Sequence, residues 1–442
     1  MNKYIPSAVL MVGLVASAFA AGTAQERDER FIAWAKAEAK PLGGVELQAD
    51  LADLRPLQKI IGQARVVSLG EPAHGAHEPL AFRNRLFRFL VEELGFTAIA
   101  IESALPQSRR LADFVAGGAG DAQAIARKNF SWGFGAYPEN AELLRWIRDY
   151  NRDDTHRRKV RLYGIDVGLA GPNFSKPEPT ALRDVLSYLD RVDPESARRQ
   201  RDVFQPILAR LATPAAPPGF PSDGEMAALD DLIAQLERER LAYTTLLPAT
   251  DYAWALRCAI VARQEFRVVR VQPSEGGNAI PPGAWRAMNA RDSAMAENAL
   301  WALEQEGAEG RILIFAHNGH VKNAPTEGGW WTPLERPAFA MGQYLKEVLG
   351  GGIAVIGVSS GANAKDLPAA SAEPNSVDSA LAKVGLSRFL LNLRSRPADP
   401  LVVDWLSERR PWRANFSSYS VVSPGMAYDA CVFLDVLTPS LP

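Results

Sequence analysis

The sequence has few cysteines, no excess of charge of either sign and, after residue 19, no long hydrophobic run. Two cysteines in 442 residues exclude a disulfide-dense scaffold. A formal net charge of −2 excludes the broad basic field of a nucleic-acid-binding protein. No run after residue 19 reaches the ~18 apolar residues of a membrane-spanning helix. The composition that remains, 47% hydrophobic and 23% charged, is typical of a globular protein with a sizeable core.

The amino terminus has the pattern of a secretory signal peptide. Lys3 gives a basic start, an apolar run extends from Ile5 to Phe19, and residues 18–20 form an Ala-Phe-Ala cleavage site. We therefore assign residues 1–24 to a signal peptide and its junction, and we expect a periplasmic or secreted protein. Disulfides can form in an exported protein, so the pairing of Cys258 with Cys431 stays open at this point.

Short apolar runs that alternate with helical patterns predict an α/β fold. The runs at 65–70, 96–101, 160–165 and 311–316, and later at 353–358 and 430–436, are typical of buried parallel strands. Residues 171–285 instead contain amphipathic stretches separated by proline and glycine, which predict a helical insertion that packs as a cap. The α/β core then comprises residues 25–170 and 286–442.

Polar side chains follow four of these strands. Because the carboxyl ends of parallel strands meet at one edge of a sheet, we expect these side chains to converge. Four of the five histidines lie in two of the strand-end loops, and the fifth, His156, is predicted to be a solvated surface residue. The residues at the strand ends are Glu71 and His74, Glu102, Asp166, and His317 with Asn318 and His320.

The pairing of histidine with carboxylate predicts acid–base chemistry. Glu71 and His74 have the ingredients of a general base and the group that orients it. Arg83, on the following helix, could bind a carboxylate or stabilise an oxyanion. Glu102 ends an apolar strand, where burial raises the pKa of an unpaired carboxyl group. Asp166 fits proton transfer and capping of the next segment equally well.

Two other kinds of site were weighed on the residues alone. Residues 357–361 match the G-x-S-x-G nucleophile elbow, but no histidine follows His320 and no helical pattern follows the motif, so Ser359 is not expected to be a nucleophile. The histidine and glutamate side chains could also bind zinc or manganese, and their spacing does not decide this question.

Taken together, these motifs resemble the erythromycin esterase family. The resemblance spans roughly residues 60–440 and implies a three-layer α/β/α fold with a mostly parallel sheet and a helical insertion. It also implies hydrolysis of a cyclic ester without a covalent enzyme intermediate. The motifs that carry it are Gly-Glu-x-x-His-Gly at 70–75 with Glu78 and Arg83, then Glu102, Tyr-Gly-Ile-Asp at 163–166, Arg291-Asp292 and residues 316–320.

The resemblance implies that His74 is the base that activates a water molecule. It also implies a set of residues that orient this water or stabilise charge on the substrate: Glu71, Arg83, Glu102 and His317. We expect an ester or macrolide substrate, a monomeric protein, no bound cofactor, and leave a divalent metal open. Large ligands require apolar pocket walls, and the candidates are Trp132, Phe134, Trp285, Trp330 and Trp331. The residues assigned to substrate binding are His320, Asn318, Asp166, Glu78 and Trp132.

Two alternative functions remain consistent with the same residues. One is a metal-dependent hydrolase of another ester or of a phosphoester, in which these histidines and glutamates are ligands. The other is an exported haem-binding protein without catalytic activity, in which His74 or His317 is an axial ligand.

Overall fold

The computed structural model describes residues 22–168, 179–211, 221–273, 280–363, 371–395 and 397–441, so nearly all of the predicted signal peptide, 1–24, lies outside the described residues. The strands are β1 (Lys40–Pro41), β2 (Val66–Leu69), β3 (Ala98–Ala104), β4 (Arg161–Asp166), β5 (Ile312–Phe315), β6 (Ile353–Asn363), β7 (Arg388–Asn392), β8 (Arg410–Asn415), β9 (Ser418–Val422) and β10 (Ala430–Leu437). The helices are α1 (Ala24–Glu38), α2 (Pro56–Ile61), α3 (His77–Leu94), α4 (Arg109–Val115), α5 (Ala122–Asn129), α6 (Pro138–Arg152), α7 (Thr180–Val192), α8 (Pro194–Leu211), α9 (Asp223–Arg238), α10 (Arg240–Leu246), α11 (Ala249–Val271), α12 (Ala284–Gln305), α13 (Asn318–Val321), α14 (Met341–Leu349), α15 (Val377–Ala382), α16 (Pro400–Ser407) and α17 (Pro424–Ala427).

Eight strands form one mixed sheet in the order β1-β7-β10-β6-β2-β5-β3-β4. The six strands from β10 to β4 are parallel, whereas β7 pairs antiparallel with both β10 and β1. These six are the strands that the apolar runs predict, with shifts of a few residues at their ends. β8 and β9 form a separate antiparallel hairpin that the sequence did not predict.

Alternate residues of the central strands face different hydrophobic clusters, which places the sheet between two helical layers. In β2, Val67 and Leu69 pack in the cluster that includes α3 and α6, whereas Val66 packs in the cluster that includes α12 and α14. Because successive side chains of a strand point to opposite faces, burial on both faces explains the uninterrupted apolar runs. The predicted three-layer α/β/α fold is confirmed.

Helix α3 connects β2 to β3 and carries several residues of interest. It begins at His77, directly after the loop that contains Glu71 and His74, and it ends where Gly95 adopts a φ of 68°. Glycine takes this left-handed conformation without steric penalty and is common after the last helical residue. The crossover places one buried face of α3 against the sheet and fixes the direction in which its side chains point.

Five helices, α7 to α11, occupy the span of the predicted insertion and have a hydrophobic cluster of their own. Helix α11 packs against α7, α9 and α12. The insertion also reaches the sheet edge, because Glu265 Oε1 accepts a hydrogen bond of 3.1 Å from the backbone N–H of Gly168, just after β4. Its exact boundaries stay a prediction, since 169–178 and 274–279 lie outside the described residues.

Ser359, which the sequence placed in an apparent nucleophile elbow, lies in the middle of β6 and is fully buried. Its Oγ donates a hydrogen bond of 2.6 Å to Asp378 Oδ1. The expectation that it is not a nucleophile agrees with this position. The two cysteines are buried and unpaired, Cys258 in the insertion and Cys431 in β10. Among the described helices, none is long and apolar enough to cross a membrane.

Candidate active site

Glu71 and His74 form a hydrogen-bonded pair in the loop after β2. His74 Nδ1 donates to Glu71 Oε1 at 2.5 Å. Burial alone lowers the pKa of His74, but the Glu71 carboxylate outweighs this effect and the pKa is raised above 6.5. Among the described residues, none hydrogen-bonds to Nε2 of His74, and the side chain is 19% exposed. The imidazole therefore has the tautomer and the free nitrogen that a general base needs.

His317, after β5, lies beside His74. The two rings are nearly parallel, with centroids 4.9 Å apart. The backbone N–H of His317 donates to Glu102 Oε2 at 3.0 Å, which ties the loop after β5 to the end of β3. Burial and the neighbouring His320 lower the pKa of His317 well below 6.5, so this imidazole is neutral. Two adjacent histidines thus have pKa values shifted in opposite directions.

Arg291 of α12 holds two of the strand-end carboxylates. Its Nε and Nη2 donate to the two oxygens of Asp166 at 3.0 and 2.6 Å, and Nη2 also donates to Glu102 Oε1 at 3.0 Å. Trp132 Nε1 donates to Asp166 Oδ2 at 3.0 Å, and its ring lies below the guanidinium of Arg291. The sequence predicted Asp166 and Trp132, but placed Arg291 only in a family motif and gave it no role.

His320 completes the cluster from the first turn after His317. Its Nδ1 donates to Asp292 Oδ1 at 2.8 Å, and its Nε2 lies 3.1 Å from Arg291 Nη1 and 3.4 Å from Glu102 Oε1. Burial opposes its charge, but Asp292 and Glu102 raise the pKa of His320 to about 9. Burial alone would raise the pKa of Glu102, but the charge and the hydrogen bond of His320 hold it well below 4.5, so this carboxylate is ionised.

Glu102, His317 and His320 form a group that could hold a metal ion, with ligand atoms all within 4.8 Å of one another. Two of these atoms already face a cation, because Arg291 lies against both Nε2 of His320 and Oε1 of Glu102. A divalent ion would have to share this position with a guanidinium whose pKa is raised by Asp166 and Glu102. The surroundings therefore fit a built-in cation better than a metal ion.

Arg83 is close to the pair of Glu71 and His74 but is completely buried. Its Nη1 donates to Asn140 Oδ1 at 2.8 Å, and its Nε and Nη2 donate to Asn84 Oδ1 at 3.0 and 2.7 Å. The guanidinium also lies over the ring of Phe315, with 4.9 Å to the ring centroid. These partners leave Arg83 in the protein interior and not on the cleft surface.

Two residues that the sequence assigned to substrate binding, Glu78 and Asn318, form hydrogen bonds to distant segments of the chain. Glu78 accepts hydrogen bonds of 2.7 Å from both the backbone N–H and the hydroxyl of Thr438, which ties α3 to the chain after β10. Asn318 is fully buried, and its amide nitrogen donates to the backbone oxygens of Val358 and Arg413 at 2.7 and 2.9 Å. The sequence positions of Glu78 and Asn318 beside strand ends did not predict these hydrogen bonds, because the partner residues are distant in sequence.

The remaining predicted residues divide between the cleft and the surface. The ring of Phe134 lies 5.0 Å from that of His74. The ring of Phe416, which the sequence did not predict, lies 6.3 Å from it, so both are apolar walls beside the pair of Glu71 and His74. Trp285 instead contacts the guanidinium groups of Arg286 and Arg336, which lie 4.8 and 5.5 Å from its ring centroid. His156 is half-buried and stacks on a tyrosine ring. Trp330 is half-exposed and Trp331 partly buried, both in a short 3₁₀ turn.

The geometry defines a three-layer α/β protein whose sheet edge carries a histidine–carboxylate pair of the kind that activates water. The family model described as erythromycin esterase matches residues 91–437. The chain therefore belongs to the erythromycin esterase family, and the predicted resemblance is confirmed. Glu102, Asp166, Arg291, His317 and His320 lie within the matched residues, whereas the loop with Glu71 and His74 precedes them.

Comparisons with individual proteins agree with this assignment. Erythromycin esterase type II of Escherichia coli is 28% identical over 354 residues, which are 75% of this chain and 77% of that protein. Type I of the same organism is 25% identical over 319 residues, 67% of this chain and 71% of that one. Family membership supports a hydrolase with a small-molecule substrate.

Two solved structures show the same fold. A Bacillus cereus protein has a TM-score of 0.77 at 24% identity, over 93% of this chain and 98% of that chain. An erythromycin esterase mutant in its open conformation has a TM-score of 0.66 at 18% identity, over 88% and 96% of the two chains. At these identities the likeness concerns the fold alone.

Proposed function

We propose that this protein is an exported hydrolase that adds water to the ester bond of a bulky lactone, and that it opens a macrolactone ring. The observation that carries the proposal is the pair of Glu71 and His74, whose free Nε2 faces the same cleft as the neutral His317. Family membership supports the reaction class, and the aromatic rings beside His74 suit a large apolar substrate. The amino-terminal sequence pattern supports export.

The reaction begins with a water molecule hydrogen-bonded to Nε2 of His74. As the water oxygen attacks the ester carbonyl carbon, Nε2 takes the proton, and Glu71 stabilises the imidazolium that results. The carbonyl oxygen becomes an oxyanion, to which His317 donates a hydrogen bond from its own Nε2. The imidazolium of His74 then gives its proton to the leaving alkoxide. The product is an open-chain hydroxy acid, with one water added and no covalent intermediate.

The groups behind His317 have a supporting role in this proposal. Glu102 holds the backbone N–H of His317, and Arg291 in turn holds Glu102 and Asp166. Because Arg291 supplies a fixed positive charge at the position where a metal would bind, the proposed step needs no metal ion. The neutral state of His317 lets it act as a hydrogen-bond donor without competing with His74 for the proton.

The test is mass spectrometry of a panel of macrolides incubated with purified protein. The wild type is compared with His74→Ala and with the control His156→Ala, which removes a histidine far from the cleft. We expect a gain of one water with the wild type and the control, and none with His74→Ala. General acid–base catalysis contributes typically 10²–10⁴-fold to a rate, so the loss should be of about that size.

Each other outcome has a distinct meaning. No mass change with any macrolide would remove the substrate class, and a wider ester panel would follow. Loss of turnover after chelation, restored by zinc or manganese, would favour the metal-dependent hydrolase and contradict the role given to Arg291. A Soret absorbance band on addition of haem, without turnover of any ester, would favour a haem-binding protein.

A further inference from the structure

A small cavity lies beside Glu71, the hydrogen-bond partner of His74. It is lined by Glu71, Arg83, Glu102, Tyr137 and Asn140, together with apolar side chains. The centre of a water molecule can move within about 10 Å³ of this cavity, which therefore has room for about one water. A cavity of this size with several polar groups on its wall is of the type that holds ordered water and not of the type that stays empty.

Glu71 supplies the first unmatched group on this wall. Its Oε1 accepts the hydrogen bond from His74, but no donor among the described residues reaches its Oε2, which is buried. The Glu71 side chain is only 4% exposed. Leaving a buried carboxylate oxygen without a hydrogen-bond donor is destabilising, so a partner is expected.

Arg83 supplies the complementary group. A guanidinium has five N–H donors. In Arg83, Nε donates to Asn84 and Nη1 donates to Asn140. The two N–H groups of Nη2 donate to Asn84 and to the backbone oxygen of Glu139. The second N–H of Nη1 has no acceptor among the described residues. Burial lowers the pKa of Arg83 to about 10, and Glu71 is the charge that opposes this most. Within the described part of the chain the two side chains nevertheless form no direct ion pair.

We infer that one ordered water occupies this cavity, accepting a hydrogen bond from Arg83 Nη1 and donating one to Glu71 Oε2. The water satisfies both groups and fixes the carboxylate, so that Oε1 points at Nδ1 of His74. Arg83 is then a positioning residue that acts through Glu71, and it does not contact the substrate oxyanion. The inference rests on the proposed function only in taking His74 as the base.

The burial of Arg83 distinguishes this role from the one that the sequence suggested. An oxyanion-stabilising group must face the reacting carbonyl group. The Arg83 side chain is 0% exposed and its planar fork is held on three sides by Asn84, Asn140 and the ring of Phe315.

The direct test is a crystal structure of the wild-type protein at a resolution that shows ordered waters. We expect one water peak within hydrogen-bond distance of Glu71 Oε2 and of Arg83 Nη1. An empty cavity, or a direct contact between the guanidinium and Oε2, would overturn the inference. This test needs no activity, so an inactive protein with the water in place would contradict the proposed function and leave the inference standing.

A second test follows the proton on His74 Nδ1 by NMR of protein with ¹⁵N-labelled histidine. The short hydrogen bond to Glu71 predicts a strongly deshielded, slowly exchanging resonance in the wild type. In Arg83→Met we expect this resonance to weaken or vanish and kcat to fall on the order of 10²-fold, with little change in KM, because the pair is misaligned.

The matched control is Arg85→Met, which removes another buried arginine of α3. Arg85 binds Gly44, Asp50 and Asp53 and does not line the cavity. Thermal unfolding of both variants separates loss of stability from loss of alignment. A normal His74 resonance in a folded Arg83→Met protein with lowered kcat would show that Arg83 acts on the substrate directly, which would overturn the inference.

Discussion

At the scale of single residues, neighbouring groups with the same chemistry differ in charge because their surroundings differ. Glu71 raises the pKa of His74, whereas burial and the neighbouring His320 lower the pKa of the adjacent His317. Opposed shifts of this kind mark the division of labour between a base and a neutral donor. The charge on His74 should therefore depend on Glu71.

The pH profile of kcat/KM is expected to show that the charge on His74 depends on Glu71. His74 works as a base only when deprotonated, so the rate should rise with pH through its raised pKa. In Glu71→Gln the negative charge is gone, the pKa of His74 falls, and the ascending limb should move to lower pH. The plateau should fall by roughly 10²-fold, because the ring is oriented less well.

The control for this experiment is Glu29→Gln, the same change at an exposed position of α1. Its pH profile should match that of the wild type. An ascending limb that stays in place in Glu71→Gln would mean that the titrating group in the rate is not His74.

At the scale of elements, the hairpin of β8 and β9 brings an aromatic residue to the site from far along the chain. At its tip, Phe416 donates its backbone N–H to Pro72 of the His74 loop at 2.8 Å, and its φ is 49°. A bulky residue in this left-handed region is strained, which indicates that the surrounding contacts hold it there. Phe416 thus has a strained backbone conformation that destabilises the fold and a ring that lines the cleft.

Replacement of Phe416 by alanine and by glycine should separate these two effects. Both variants lose the ring, and both should show a higher KM for large substrates. Glycine adopts a positive φ freely, so Phe416→Gly should be more stable than Phe416→Ala by about 1 kcal/mol. Urea unfolding measures the difference. Equal stabilities, or a more stable alanine variant, would show that the backbone at the tip is not strained.

The elements also show what the sequence could predict. Strands buried on both faces gave unbroken apolar runs, so six were recognised. Strand β8 was missed because two arginines, Arg410 and Arg413, interrupt its apolar residues although both are buried, and β9 was missed because it is a five-residue strand with two serines. The positions of Glu71, Glu102, Asp166 and His317 at strand ends predicted that these side chains converge. Arg291 gave no such signal, because it lies on a helix and reaches the cluster only through tertiary packing.

At the scale of the whole molecule, the chain after β10 is fastened to the segment that carries His74. Thr438 binds Glu78, and the hydroxyl of Ser440 donates to Glu139, which also accepts from Nδ1 of His77 at 2.6 Å. The last residues of the fold and the loop after its first central strand are therefore joined by charged side chains. Their contribution to stability should depend on pH.

The contribution of His77 to the free energy of unfolding should change measurably with pH. Hydrogen bonds from His77 to Glu139 and Glu46 raise its pKa from 6.5 to about 9. Its stabilising contribution is then complete below pH 6.5 and is lost as the pH rises through about 9. The free energy of unfolding of the wild type should exceed that of His77→Gln below pH 6.5, and the gap should close above pH 9.

Urea unfolding at both pH values checks this expectation. Other groups that titrate in this range, such as Lys322 with a pKa lowered to about 7 by burial, are present in both proteins and cancel in the difference. A gap that is constant with pH would show that the charge of His77 does not contribute.

Two buried, unpaired cysteines in separate hydrophobic clusters predict that stability does not depend on redox conditions. Cys258 lies among the helices of the insertion and Cys431 in the central sheet, and burial raises the pKa of both thiols well above 9.0. The unfolding temperature should be the same with and without reductant, and two thiols should react only after unfolding. A drop in unfolding temperature on reduction would reveal a disulfide.

The contacts between Asp166 and Arg291 bear on how proteins of this shape can diversify. These two residues border the long segment that holds α7 to α11, and their ion pair brings the chain back to the point where it left the sheet. A segment closed in this way can change in length at small entropic cost, because closure entropy grows slowly with loop length. A change in the cap can therefore leave the residues at the strand ends in place, so that the surface that meets a ligand varies while the histidine–carboxylate cluster does not.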